Sequence, residues 1–418
     1  MRVFIETYGC TFNQADSDAL ANALKKAGHC ETESEKNADL IVVNSCGVKN
    51  ATEQRILLRL RNLRGKRVLV TGCLAQADPA KLLKANPEIS LLGTFSQKEF
   101  VKAAEATLQG RQVKILSRKG FAEPVVRVEN AKARIQVARG CLGECSFCQT
   151  KLARGTLESI PAKKVVRLCE QAVKAGAKEI QLTAQDTGCY GFDRRDSVLL
   201  PDLVKRVCAI TGRFRTRIGM MNPQHAKKIL SRLLEAYEDE KVFKFLHLPL
   251  QSGSDAVLRE MKRHHSARDF LEAAAAFRKK FPLGTLATDV IIGFPGESEQ
   301  DFCETLSVLR KAMPDCVNIS RYSARPKTPA AGMKQLSNET INRRTRECSE
   351  LCRAIARQRN QQRIGESGVV LVTEKQEKAW LSRDENYAPI LLRKGREGEF
   401  VRARIIGSAE RVLKGERI

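Results

Sequence analysis

Apolar and polar positions along the first 95 residues switch repeatedly between two periods. VFIETYGC (3–10), ADLIVVNSC (38–46), KRVLVTGC (66–73) and ISLLG (89–93) are short runs rich in β-branched residues. Between them, 16–27, 52–63 and 79–83 repeat their apolar residues at helical spacing. Strand followed by helix, several times over, predicts βαβ units and an open parallel sheet. Residues 109–132 lose the periodicity, carry several basic residues and Pro124, and read as a linker. The alternation then resumes. RIQVA (134–138), KEIQLT (178–183), FRTRIGM (214–220), KFLHLPL (244–250), TLATDVIIG (285–293) and CVNISRY (316–322) are strand candidates, with helical stretches such as 162–176 between them. Six βα repeats predict a partial (β/α)6 barrel, open where an eight-fold barrel would close. A basic helix follows. The tail changes character: SGVVLVTEK, KAWLSRD, APILLRK and GEFVRARIIG are short strands with Gly and charged turns, the pattern of a small β-barrel. The expected organisation is therefore an α/β chain in five parts: 1–108, a linker 109–132, 133–338, a connecting basic helix 339–360, and a barrel 361–418.

Charge adds a partner class. The 418 residues hold 73 Lys+Arg against 48 Asp+Glu, a net charge of +25, and a field of that sign attracts polyanions. The 14 Cys are too sparse for a disulfide scaffold. No apolar run approaches the roughly 18 residues of a membrane span, and MRVFIETYGC lacks the apolar core of a signal peptide. A cytoplasmic setting is expected, where clustered Cys read as metal ligands or catalytic thiols.

The densest cluster is RGCLGECSFCQT. Cys141, Cys145 and Cys148 follow a C-x3-C-x2-C pattern directly after the first strand of the second domain. Three thiolates so close can wrap one soft metal centre. Zinc would want a fourth ligand nearby, and the nearest His is His225. A cubic iron–sulfur cluster held by three Cys leaves one iron open to a non-protein ligand. A second triad is dispersed: Cys10, Cys46 and Cys73 each end a predicted strand of the first domain. Ligands of open parallel sheets sit beyond the carboxyl ends of strands, so these three thiols are expected to converge on a second cluster. The other eight, Cys30, Cys169, Cys189, Cys208, Cys303, Cys316, Cys348 and Cys352, show no triplet spacing and read mostly as core fillers. Cys348 and Cys352 share a helix face. Cys189 follows a strand and could approach a site.

The C-x3-C-x2-C with Phe147 before its last Cys resembles the radical S-adenosylmethionine (SAM) signature. TYGCTFNQADSD (7–18), HLPLQSGSDAVLREMKR (247–263) and TDVIIGFPGESEQDF (288–302) narrow the match. With the strand-end cysteines and the β-rich tail, the whole chain resembles the radical SAM methylthiotransferases. Their order is a cluster domain, a radical SAM domain and a C-terminal TRAM barrel. CTFNQADSD, NSCGVKNATE and CLGECSFCQTKLARG most resemble the MtaB-type branch, which methylthiolates N6-threonylcarbamoyladenosine at position 37 of tRNA. The MiaB branch acts on isopentenyl-adenosine and the RimO branch on a ribosomal protein. One departure is Lys327 in ARPKTPAA (324–331), where the family usually has Gly.

The resemblance implies two 4Fe-4S clusters and SAM. Cys141, Cys145 and Cys148 would hold the SAM-cleaving cluster. Cys10, Cys46 and Cys73 would hold an auxiliary cluster that carries the transferred sulfur. One SAM would supply a methyl group and another a radical that takes hydrogen from C2 of the adenine. Phe147, Gln185, Asp186, Gln251, Ser252 and Gly293 are expected to line the SAM pocket. An electron donor such as a flavodoxin or ferredoxin, and a sulfur source, are implied partners. For the tRNA, residues 49–84 carry nine Lys/Arg against Glu53 and Asp78, and a second basic stripe runs through 343–363. Arg55, Arg59, Arg343, Arg344, Arg402 and Arg404 are the expected contacts, and Trp380, Tyr387 and Phe400 of the barrel are further candidates. A non-catalytic iron–sulfur RNA-binding protein is the reading from another class. The C-x3-C-x2-C loop argues against it, because a binding module has no need of an open iron.

Overall fold

A computed structural model of the chain describes residues 1–48, 50–116 and 120–418. Lys49 of the first basic stretch and 117–119 of the expected linker lie outside the described residues.

The N-terminal region forms one six-stranded parallel sheet. Its strands are β1 (Arg2–Thr7), β2 (Cys30–Glu31), β3 (Leu40–Ser45), β4 (Val68–Gly72), β5 (Ser90–Leu92) and β6 (Lys114–Ile115), in the order β2-β1-β3-β4-β5-β6. Every residue of β3 and β4 is buried, as expected of central strands covered by helices on both faces. One apolar cluster, with Ile56, Leu60 and Leu74, fills one face, and another, with Leu20, Leu24 and Phe100, fills the other.

The central region is built on β7 (Val128–Glu129), β8 (Lys132–Gln136), β9 (Ala138–Arg139), β10 (Glu158–Ser159), β11 (Glu179–Thr183), β12 (Arg215–Ile218), β13 (Phe245–His247), β14 (Thr285–Ile292) and β15 (Cys316–Arg321). β8, β11 and β12 pair in parallel, as do β13, β14 and β15. A parallel bridge between Thr216 and Val242 joins the two sheets. The wall therefore has six parallel strands and an open side, as the βα count predicts. Helix Thr11–Lys26 of the first region covers the β8 edge: Gln136 donates to Asp16 at 2.8 Å and Arg134 to Asp18 at 3.3 Å.

The expected linker carries two short strands. β6 closes the edge of the first sheet, and β7 pairs antiparallel with β8. Two-residue strands are too short to show a period, so the pattern could not reveal them. Helix Asn338–Gln361 leads into β16 (Ser367–Lys375), β17 (Trp380–Arg383), β18 (Pro389–Leu392), β19 (Phe400–Ser408) and β20 (Leu413–Arg417). These close into a barrel in the order β16-β17-β18-β20-β19. The barrel docks on the central wall through aromatics. Tyr387 lies between Phe243 and Phe245, ring centroids 4.8 and 5.0 Å away, and donates its hydroxyl to Glu179 at 2.9 Å. Among the described residues no helix is long and apolar enough to cross a membrane.

Candidate active site between two cysteine triads

The dispersed triad is assembled by topology. β1, β3 and β4 are neighbours, about 4.8 Å apart, so residues just past their carboxyl ends meet. Cys10 caps the start of helix Thr11–Lys26, Cys46 follows β3 directly, and Cys73 opens helix Cys73–Ala77. Two glycines make the approach possible. Gly9 has φ +106°, and a Cβ there would lie 2.7 Å from both Cβ and Sγ of Cys46. Gly72 has φ +92°, and its Cβ would lie 2.3 Å from the Ser45 carbonyl oxygen. Asn13 ties the loops together: its amide donates to the carbonyls of Tyr8 (2.9 Å) and Ser45 (3.0 Å), and its oxygen lies 3.7 Å from Cys73 Sγ. Cys46 and Cys73 are buried and Cys10 is exposed, so the triad opens to one side. Burial pushes the Cys73 thiol up to about 12, against the pull of Arg154. Cluster assembly must displace that proton.

The local triad sits on the loop after β9. Gly140 turns the chain at φ +69°, where a Cβ would strike the Thr156 carbonyl at 1.9 Å. The Gly143 amide donates to Cys141 Sγ at 3.2 Å, and Arg263 donates to Cys145 Sγ at 3.4 Å. Ser146 anchors the loop through its amide to the Met261 carbonyl (3.0 Å) and its hydroxyl to the Glu260 carbonyl (2.7 Å). Burial, reinforced by nearby Asp186, pushes the Cys141 thiol up to about 12. Burial also raises Cys148.

The segment that follows the local triad meets the loops of the dispersed one. Helix Thr150–Arg154 begins two residues after Cys148, and Ala153 packs against Cys73 and Ala77. Arg154 points away from its own loop and donates to Cys73 Sγ at 3.3 Å. Gln149, next to Cys148, brings its amide oxygen to 3.0 Å from where a Gly47 Cβ would stand, beside Cys46. Among the described residues, both polar atoms of that amide are buried without partners, and so is Arg263 Nε beside Cys145. Soft donors in threes, with unpaired buried polar groups beside them, fit a sulfur-rich cluster and a polar ligand.

The segment 325–330 touches both loops. Arg325 donates to the Val48 carbonyl at 3.2 Å and pairs with buried Glu53, while the Ala330 amide donates to the Ser146 carbonyl at 3.0 Å. Lys327 lies between them at φ +64°, the left-handed region that favours the Gly expected there.

Several expected contacts are corrected by geometry. Asp186 is fully buried and already accepts from Gly188 N, Asn222 N, Asn222 Nδ2 and His225 Nδ1 at 2.6–3.1 Å, so its carboxylate braces the strand end and is not open to SAM. Ser252 is buried against Thr305 at 3.3 Å. Gly293 leaves room for Ile341, whose Cγ1 would lie 2.4 Å from a Cβ there. Phe147 packs edge-on to Phe294 at 6.4 Å, Gln185 keeps a buried amide oxygen without a partner among the described residues, and Gln251 turns at φ +68°. Of the expected RNA contacts, Arg344 is buried between Glu297 and Glu299, and Arg59 is held by Glu6 and Glu35. Arg343 is exposed but forked onto Glu299. Arg55, Arg402 and Arg404 are exposed. The 343–363 stripe is partly a brace, because Arg359 pairs with Asp315 and Arg363 with Asp384. Trp380, Tyr387 and Phe400 serve the barrel core and its docking face. Cys30, Cys303 and Cys316 are exposed, not core fillers.

Two family models match: uncharacterized protein family UPF0004 over residues 2–93 and the radical SAM superfamily over 135–309. The chain is 41% identical over 413 residues to a probable threonylcarbamoyladenosine tRNA methylthiotransferase of Archaeoglobus fulgidus, covering 97% of this chain and 96% of the relative. It is 34% identical over 433 residues to the threonylcarbamoyladenosine tRNA methylthiotransferase of Homo sapiens, covering 99% and 74%. The chain belongs to the threonylcarbamoyladenosine tRNA methylthiotransferase family. The fold is also like that of the radical SAM methyltransferase TsrM of Kitasatospora setae (TM-score 0.58, 13% identity, 79% and 77% coverage), a likeness of fold alone. As a radical SAM methylthiotransferase, this family member is an enzyme that needs a 4Fe-4S cluster and SAM.

Asn13, Gln149, Arg154 and Arg263 went unassigned in the sequence. All four stand inside or beside the quoted motifs, and their positions there were the available signal.

Proposed function

We propose that this chain converts N6-threonylcarbamoyladenosine at position 37 of tRNA to its 2-methylthio derivative. In this reading Cys141, Cys145 and Cys148 hold the SAM-cleaving cluster, and Cys10, Cys46 and Cys73 hold an auxiliary cluster. What supports it is the contact between the segment after Cys148 and the turns that carry Cys46 and Cys73, in a chain 41% identical to relatives of that name. Bound there, the two clusters and SAM supply the radical and the sulfur that an unactivated aromatic C–H requires.

The residues of the chain do the rest. Gly9, Gly72 and Gly140 let the loops close on the thiols. Arg325 and the 325–330 segment hold both loops at one distance. Gln149 offers a donor and an acceptor to the base between the triads. Phe147, Gln185 and Gln251 line the SAM side. Arg55, Arg402 and Arg404 offer exposed cations to tRNA phosphates, and an electron donor and a sulfur source complete the reaction. The relatives' shared name favours this substrate over isopentenyl-adenosine or a ribosomal protein.

Nucleoside mass spectrometry tests it. Reconstituted protein, SAM, a reductant and tRNA carrying the threonylcarbamoyl group are expected to yield the 2-methylthio nucleoside. Product only on isopentenyl-adenosine tRNA, or only on a ribosomal protein, overturns the reading.

A further inference from the structure

Each triad has one buried guanidinium bonded to one of its sulfurs. Arg263 reaches Cys145 from its own domain, with Nη1 3.4 Å from Sγ and Nη2 on the Pro249 carbonyl at 3.3 Å. Arg154 reaches Cys73 from the opposite domain. Its backbone belongs to the radical SAM region, six residues after Cys148, yet every partner of its side chain lies in the first region. Nε is 3.3 Å from Cys73 Sγ, Nη2 donates to Asn13 Oδ1 at 2.7 Å, and Nη1 pairs with Asp16 Oδ2 at 2.6 Å. The guanidinium also lies 4.8 Å above the Phe12 ring. The side chain is 2% exposed.

A planar fork with all three nitrogens engaged is fixed in angle as well as place. Asp16 neutralises its charge, so burial is tolerated, and Asp16 is held in turn by Gln136 at 2.8 Å. What remains is one N–H aimed at a sulfur that the proposed reading makes a cluster ligand. Hydrogen bonds to cluster sulfurs favour the reduced cluster and set its potential.

We propose that Arg154 is a positioning residue for the auxiliary centre: its N–H bond to the Cys73 sulfur raises that centre's reduction potential and locks its distance to the SAM-cleaving loop. The assignment rests on the two-cluster reading above. It gives the chain a covalent spacer of six residues between the last ligand of one centre and a hydrogen bond to the other.

The test uses the full chain, anaerobically reconstituted, as wild type, Arg154→Gln and Arg154→Lys. Iron content and EPR-monitored redox titration of both centres are the primary readouts. The ratio of 5′-deoxyadenosine released to methylthiolated product is the second. Arg154→Gln is expected to keep both centres, to move the auxiliary midpoint to more negative potential while leaving the SAM-side midpoint in place, and to raise the ratio at least about tenfold, as loss of a charge-assisted bond implies. Arg154→Lys keeps a charge opposite Asp16 and should shift the midpoint less. If the Gln variant fails to retain the auxiliary centre, the Lys variant carries the same two readouts. Wild type with about four irons instead of about eight removes the two-cluster reading and this proposal with it. About eight irons with both midpoints and the ratio unchanged in both variants removes the proposal alone.

Discussion

The two cysteine triads present the same donors built in opposite ways. Cys141, Cys145 and Cys148 are brought together by one loop, with Gly140 and Gly143 making the turn and Ser146 anchoring it. Cys10, Cys46 and Cys73 are brought together only by the order of three strands, and stay together through Gly9, Gly72 and the Asn13 amide. A local site can form whenever its loop forms. A dispersed site exists only when the sheet does, so its chemistry is coupled to the folding of a whole domain. The difference suits the proposed reading, in which one centre meets SAM and the other holds the sulfur.

The sharpest way to break the comparison is to remove the donors set by set. Replacing Cys141, Cys145 and Cys148 with Ala is expected to abolish reductive SAM cleavage. Replacing Cys10, Cys46 and Cys73 should leave cleavage measurable and abolish methylthiolation. Each triple variant should hold about four irons where the wild type holds about eight. Equal loss of 5′-deoxyadenosine in both variants would show that the triads do not divide the work.

Backbone substitutions give a smaller and more graded contrast. Gly9→Ala puts a methyl 2.7 Å from Cβ and Sγ of Cys46 at a φ of +106°, so strain of about 1–3 kcal/mol adds to a direct collision with a ligand. Iron is expected to fall toward about four. Gly143→Ala has an ordinary φ, and its methyl would lie 3.3 and 3.7 Å from the sulfurs of Cys141 and Cys145, a tight contact costing about 1 kcal/mol. Iron should stay near about eight. Iron and acid-labile sulfide assays read both, and the reverse ranking would mean that the local loop is the more constrained of the two.

The same contrast explains what was legible in the sequence. Spacing alone exposed the local triad. The dispersed one needed the strand assignments first, and these were readable because β3 and β4 open on the apolar runs LIVV and VLV and lead into Ser-Cys and Gly-Cys. Period could not reveal β6 and β7, two residues each. Nor could it say which arginines face water: Arg343 and Arg344 are adjacent in a basic stripe, yet one is half-exposed and the other is buried between Glu297 and Glu299. Charge counted along the chain is blind to the carboxylates that packing brings to it. Arg154 shows this most fully, since its partners Asn13, Asp16 and Cys73 all come from the other domain.

The smallest effect is expected where one segment serves both triads. Arg325 holds the Val48 carbonyl beside Cys46, and the Ala330 amide holds the Ser146 carbonyl beside Cys148, so 325–330 acts as a strut between the loops. Lys327, in the middle, is left-handed at φ +64°. Lys327→Gly relieves about 1 kcal/mol of backbone cost but adds unfolded-state entropy of similar size, so denaturation midpoints should barely move. Lys327→Val places a β-branched residue at the same φ and should destabilise by about 1–2 kcal/mol. Because the strut touches both loops, any loss of iron in the Val variant should fall on both centres alike. Loss confined to the auxiliary centre would mean that only the Arg325 end matters, and that the dispersed triad depends on the second domain in a way the local one does not.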